Sequence, residues 1–122
     1  MASSGKVSAM NLTPADRYRL VLTTCPDADS ARRIGDALVA EALAACVNVI
    51  PGLVSTYIWK GDTVRDSELL LLIKTRADRL PALSERLLAL HPYELPEIVT
   101  VSLAEGLEKY LQWIDHAVET KT

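Results

Sequence analysis

Short apolar runs alternate with amphipathic stretches along the chain, a pattern typical of strands separated by helices. Tyr18–Thr24 is apolar and β-branched and leads into a Cys-Pro-Asp turn, which predicts a strand. From Ala28 onward the apolar residues recur every three or four positions. This spacing predicts a helix, with Asp27 or Asp29 placed to accept a hydrogen bond from its first free backbone N–H groups.

The next two apolar segments predict one long antiparallel hairpin. Cys46–Lys60 and Thr63–Arg76 flank a Lys-Gly-Asp turn, and Pro51-Gly52 is expected to form a bulge or bend. A strand of fourteen residues at about 3.3 Å each extends on the order of 45 Å. Such a hairpin overhangs its own sheet, and pairing with another subunit is one way to cover its exposed edges.

The remainder of the chain completes an alternating order of strands and helices. Asp78 is expected to cap a second helix that ends at His91, followed by a strand over Glu97–Leu103 and a third helix after Gly106. The order β-α-β-β-α-β with right-handed crossovers predicts an α+β ferredoxin-like split β-α-β sandwich. Its sheet would be antiparallel with helices on one face, with a long β2-β3 hairpin and an extra C-terminal helix.

Length and composition fit a single globular domain. The chain has 122 residues, of which 49% are hydrophobic and 24% charged. Thirteen basic against sixteen acidic residues give a net charge of −3, which argues against nucleic acid as a partner. The longest apolar runs fall well short of the roughly 20 residues of a membrane span, so no membrane partner is predicted.

The ends of the chain and the cysteines give further expectations. Residues 1–17 are expected to be a disordered leader, residues 18–119 the single domain and residues 120–122 a tail. Two cysteines without disulfide-rich spacing favour free thiols and a cytoplasmic location.

No motif for a nucleophile elbow, phosphate loop or zinc protease occurs, so catalysis is not predicted. The densest polar cluster is the His91–Glu97 loop, which two prolines stiffen. His91 could simply satisfy the end of the preceding helix, or it could bind a metal with a glutamate oxygen. Cys25 could be an inert turn residue, or a thiolate that with His91 suits copper or zinc.

Other polar and aromatic side chains have two interpretations each. Lys74 either ends its strand in solvent or projects into a cleft as an isolated cation. The aromatic residues Tyr57 and Trp113 suit a core or subunit interface as well as a stacking surface for a ligand. Asp66 and Glu68 are expected on a solvated strand face.

Several sequence motifs resemble the CutA family of divalent-cation tolerance proteins. They are TCPD at 24–27, LAACVNVIPG at 43–52, YIWKG at 57–61, LIKT at 72–75, HPYELPE at 91–97 and YLQW at 110–113. The resemblance covers about residues 18–119. It implies a PII-like homotrimer in which long hairpins pair between subunits. It also implies tolerance or binding of divalent ions, copper among them, without settled enzymatic activity.

The resemblance also assigns candidate site residues. His91 becomes the leading metal ligand, with Cys25 and Glu97 as further candidates. One copper-binding arrangement in the family uses a first-strand cysteine and a histidine before the HPY motif, where this chain has Thr23 and Leu90. Cys25 lies on the same strand face as Thr23 and could substitute. The family's intersubunit cleft corresponds to Tyr57, Lys74, Tyr93, Glu97 and Trp113, together with His91.

Three functional hypotheses follow from the sequence. The first is a trimeric metal-binding protein that responds to metal ions. The second is a PII-like sensor that binds a small anion through Lys74 and signals to an unidentified protein partner, so that its effect on metal tolerance is indirect. The third is an enzyme that uses His91 and Glu97 as an acid–base pair.

Overall fold

The computed structural model describes residues 12–119. Its elements in chain order are β1 (Leu12–Pro14), β2 (Tyr18–Cys25), α1 (Ala28–Ala40), β3 (Cys46–Trp59), β4 (Asp62–Arg76), α2 (Leu80–Leu90), β5 (Val99–Ser102), β6 (Glu105–Leu107) and α3 (Glu108–Ala117). A short 3-10 turn over Ala77–Arg79 precedes α2. The predicted order of strands and helices from residue 18 onward is confirmed, with β5 shorter than the sequence indicates.

Four of the strands form one antiparallel sheet in the order β3-β4-β2-β5. The strands adjacent in sequence, β3 and β4, form the long hairpin at one side. The crossovers through α1 and α2 place β2 in the interior and β5 at the opposite edge. This is the strand order of a ferredoxin-like α+β sandwich, as the sequence predicts.

One face of this sheet, here called the covered face, packs against α1 and α2. Its strand residues Val21, Leu71 and Ile73 are completely buried beneath Ile34 and Leu38 of α1 and two leucines of α2. The side chain of Asp27 accepts a hydrogen bond from the backbone N–H of Ser30 at 2.8 Å and so caps α1. Apolar periodicity and capping therefore place α1 as the sequence predicts.

The opposite face, here called the open face, carries the alternate side chains of the same strands. Leu22, Leu72 and Val99 are register neighbours on it, and α3 covers only the end near Tyr18 and Arg76. Asp115 of α3 accepts a hydrogen bond from the Tyr18 hydroxyl at 2.8 Å and one from the Arg76 guanidinium at 3.2 Å. The expectation of helices on one face thus holds for α1 and α2, while α3 lies on the other.

The hairpin extends beyond the rest of the sheet and contains the predicted bulge. Register shifts by one residue between Ile50 and Leu53, where Gly52 has a φ of 86°. Because one residue is inserted, Tyr57 beyond the bulge shares the open face with Asp66 and Glu68. The bulge therefore fixes which side chains of the overhanging hairpin face each other.

Two sequence expectations need correction. Residues 12–14 pair with β6 and Ala15 is fully buried, so the ordered part of the chain begins before the expected boundary at residue 17. Residues 1–11 and the expected tail at 120–122 lie outside the described residues. Asp78 does not cap α2, because its carboxylate accepts hydrogen bonds from Arg76 instead. Of the helices within residues 12–119, none has the length and apolar character required to cross a bilayer.

Candidate functional site

Cys25 and His91 meet where β2 ends beside the C-terminus of α2. Both are buried, and the Cys25 Sγ lies 3.9 Å from the His91 Nε2. A metal bound to a thiolate and an imidazole separates the two atoms by at most about 4.3 Å, the sum of two typical bond lengths. The pair therefore has the ligand chemistry and spacing for a soft metal ion.

The hydrogen bonds of His91 fix its protonation. The backbone N–H of Tyr93 donates to Nδ1 at 3.1 Å, so Nδ1 holds a lone pair. Nε2 consequently carries the proton and donates it to the backbone carbonyl of Thr24 at 2.8 Å. Both ring nitrogens are thus engaged within the protein, and a metal ion would have to displace the proton on Nε2.

The Cys25 thiol is protonated near neutral pH for a physical reason. Burial raises the pKa of Cys25 to about 11, an effect to which the charges of Asp27 and Glu68 add and which a hydrogen bond with Ser30 only partly offsets. Across residues 12–119 no three histidine, cysteine, aspartate or glutamate side chains converge as a metal cluster. The expected three-residue set of Cys25, His91 and Glu97 is therefore not assembled.

Three of the predicted cleft residues instead line a groove of about 480 Å³ on the open face of the hairpin. Tyr57 enters it from β3, while Tyr93 and Glu97 come from the loop that follows α2. The other described residues along its walls are Thr24, Ser55, Thr56, Trp59, Glu68, Glu94 and Leu95. The ring of Tyr93 lies 4.9 Å from that of His91, so the groove adjoins the Cys25–His91 pair.

Each tyrosine of the groove donates a hydrogen bond to a carboxylate of β4. The Tyr93 hydroxyl bonds to Glu68 at 2.6 Å, and the Tyr57 hydroxyl bonds to Asp66. Burial and the bond to Glu68 raise the pKa of Tyr93, whereas the bond to Asp66 is the main reason why the pKa of Tyr57 is raised. Both phenols therefore stay protonated and act as donors.

Glu68 corrects the expectation of a solvated strand face, because only 6% of this residue is exposed. The sequence does contain a signal for this, since Glu68 directly precedes the apolar run Leu69–Ile73 and shares a strand face with Leu70 and Leu72. A carboxylate in line with buried strand positions is a candidate for a functional group rather than a solubilising one.

The remaining two cleft residues lie elsewhere in the subunit. The Lys74 Nζ is 3.4 Å from the hydroxyl of Tyr110, whose ring contacts that of Trp113 at 5.5 Å between centroids. Lys74 is six residues along β4 from Glu68, a distance of about 20 Å in an extended strand. Lys74 and Trp113 therefore do not share a site with Tyr57, Tyr93 and Glu97 within one subunit.

Comparison with known families identifies the fold and this arrangement of residues. The family model described as "CutA1 divalent ion tolerance protein" matches residues 19–117. The chain belongs to this family. CutA1 is a divalent-cation tolerance family and not a known enzyme family.

The similarity extends to individual CutA proteins. The "Divalent-cation tolerance protein CutA" of Thermus thermophilus is 55% identical over 95 residues, which are 78% of this chain and 92% of the relative. The mouse "Protein CutA" is 42% identical over 97 residues, which are 80% of this chain and 55% of that protein. The crystal structure of CutA from Xylella fastidiosa superposes with a TM-score of 0.83 at 48% identity, covering 84% of this chain and 99% of that one.

Proposed function

We propose that this CutA1-family protein is a homotrimer that binds copper or a similar divalent ion through Cys25 and His91 and thereby contributes to metal tolerance. The observation that carries the proposal is the 3.9 Å approach of the Cys25 Sγ to the His91 Nε2. Thiolate and imidazole together prefer copper and zinc to magnesium and calcium. Glu97, on the adjoining groove, is a further ligand only if its loop moves.

Two protons oppose metal binding at this pair. The Cys25 thiol, whose pKa burial raises to about 11, must ionise, and His91 must release the proton that it donates to Thr24. The bound metal would supply the positive charge that stabilises the thiolate. We therefore expect modest affinity near neutral pH that rises with pH, about tenfold per unit for each proton displaced.

The open face supports assembly into a trimer. Val99 and Val101 are 48% and 46% exposed, and with Ile50 they extend an apolar surface across the sheet to its edge strands. An apolar face on an unpaired sheet edge is unusual for a protein that stays monomeric. Apposed open faces would cover it. We also propose a cytoplasmic location, since both cysteines are free.

A second function, a PII-like sensor of a small anion, has one specific observation in its favour. The Lys74 ammonium has no carboxylate within salt-bridge distance among residues 12–119, and its neighbour is the Tyr110 ring at 5.6 Å. A half-buried cation of this kind suits an anionic ligand. In a trimer, Lys74 and Trp113 of one subunit could complete the groove of another.

The test is calorimetric titration of the reduced protein with copper(II) and zinc(II) at several pH values. We expect saturable binding that strengthens from pH 6 to pH 8 and is lost in both His91→Ala and Cys25→Ser. Cys46→Ser is the matched control, because Cys46 lies on the open face away from His91. Light scattering of the same samples measures the subunit number.

Metal binding that survives His91→Ala would contradict the proposed site. Loss of phosphate binding in Lys74→Ala, with metal affinity unchanged, would favour the sensor function instead. A monomeric mass at all concentrations would exclude the trimer.

A further inference from the structure

The groove contains a buried carboxylate that has no cation beside it. Glu68 is more than nine-tenths buried and lines the groove, and its hydrogen bond within residues 12–119 is the one that its Oε2 accepts from Tyr93. None of the ion pairs of the described chain includes it. Buried carboxylates are ordinarily paired with a positive charge, so Glu68 has a free acceptor and an uncompensated charge at the groove surface.

The walls of the groove suit a positively charged organic group. Among the described lining residues three are glutamates and none is basic. Tyr57, Trp59 and Tyr93 add aromatic rings, and ring faces attract cations while their apolar surface accommodates methylene groups. The volume of about 480 Å³ is in the usual range for small-molecule sites.

The spacing of the carboxylates distinguishes an extended cation from a metal ion. Asp66 and Glu68 lie on the same face of β4 two residues apart, about 7 Å along the strand. Each already accepts a tyrosine hydroxyl, and no cluster within residues 12–119 could enclose a metal. Two separated acceptors with an apolar wall between them match a ligand with two ammonium groups joined by a short methylene chain.

We propose that this groove binds an aliphatic diamine or polyamine, with one ammonium group at Glu68, a second towards Asp66 or Glu97, and the methylene chain against Tyr57 and Tyr93. Each ammonium would donate hydrogen bonds to carboxylate oxygens that the tyrosine hydroxyls leave free. The proposal goes beyond metal tolerance and involves neither Cys25 nor His91, so it is tested separately from the proposed metal site.

The experiment is titration of the full-length protein with 1,4-diaminobutane at constant ionic strength, followed by calorimetry and tyrosine fluorescence. We expect saturable binding to the wild type, weakened about tenfold or more by Glu68→Gln, which removes the charge and keeps the shape. Tyr57→Phe should weaken binding less, because Glu68 and Tyr93 remain. Butylamine, which has one ammonium group, should bind more weakly, and 1,4-butanediol should not bind.

Glu85→Gln serves as the matched control, because Glu85 is an exposed glutamate of α2 outside the groove, and its affinity for the diamine should equal that of the wild type. Circular dichroism establishes that each variant is folded. Equal affinity in Glu68→Gln and wild type, or displacement of the diamine by magnesium at matched ionic strength, would overturn the proposal. So would the lack of any saturable binding to the wild type.

Discussion

The two faces of the four-stranded sheet differ in how completely the chain satisfies them. On the covered face, apolar side chains are fully buried by α1 and α2, and His91 has a hydrogen-bond partner for each ring nitrogen. On the open face, Val99 and Val101 remain half exposed, and Glu68 is buried without a cation. Burial on the covered face therefore reflects packing within one subunit, whereas the open face has groups that only a further molecule can satisfy.

Breaking the open face should have the largest effect, on assembly rather than on folding. In Val101→Lys a charge enters the centre of the proposed interface, where it cannot be solvated. We expect light scattering to show loss of the trimer, with the circular dichroism of the folded subunit retained.

Thr100→Lys is the control for this substitution. Thr100 is the adjacent exposed residue of β5 and pairs in register with Val21, so its side chain lies on the opposite side of the strand. It should leave the trimer intact. Equal dissociation by both lysines would indicate that the edge of β5, rather than the apolar face, holds the subunits together.

Breaking the covered face should reduce the stability of each subunit. Ile73→Ala removes a fully buried side chain between the sheet and its helices and should lower the free energy of unfolding by about 2–5 kcal/mol. Urea denaturation monitored by circular dichroism measures the change. Leu72→Ala, one residue away on the open face, should cost less at protein concentrations where the subunit is monomeric. A larger loss for Leu72 under those conditions would contradict the division between the faces.

Much of the fold can be predicted from the sequence because it depends on local patterns. The change of apolar period at Ala28, the Asp27 cap and the Pro51-Gly52 bulge each act within a few residues, and the structure contains all three. Strand β1 could not be predicted in this way. It contains only Leu12–Pro14 and is held by pairing with Glu105–Leu107, a contact between distant parts of the chain.

The candidate site was less predictable because it depends on partners. Residue type and motif indicate Cys25 and His91, and the structure brings these two together. Sequence cannot show that Tyr93 and Thr24 occupy both nitrogens of His91, or that Tyr93 reaches across to Glu68. Those contacts join residues that are between 2 and 67 positions apart. Such contacts decide which polar groups remain free for a ligand.

One exception on the covered face allows the sharpest comparison at the smallest scale. Thr23 and Thr75 are both fully buried there, yet they differ in hydrogen bonding. The Thr75 hydroxyl donates to the backbone carbonyl of Leu43 at 2.7 Å, whereas the Thr23 hydroxyl has no partner among the described residues. A buried hydroxyl without a hydrogen bond costs about 1–3 kcal/mol.

The same substitution should therefore have opposite effects at the two positions. Thr23→Val exchanges an unsatisfied hydroxyl for a methyl group of similar size and should raise the free energy of unfolding by about 1 kcal/mol. Thr75→Val leaves the carbonyl of Leu43 without its donor and should lower it by about the same amount. Parallel urea denaturation of the two variants measures both signs. Destabilisation by Thr23→Val would mean that its hydroxyl has a partner in solution, such as an ordered water beside Cys25.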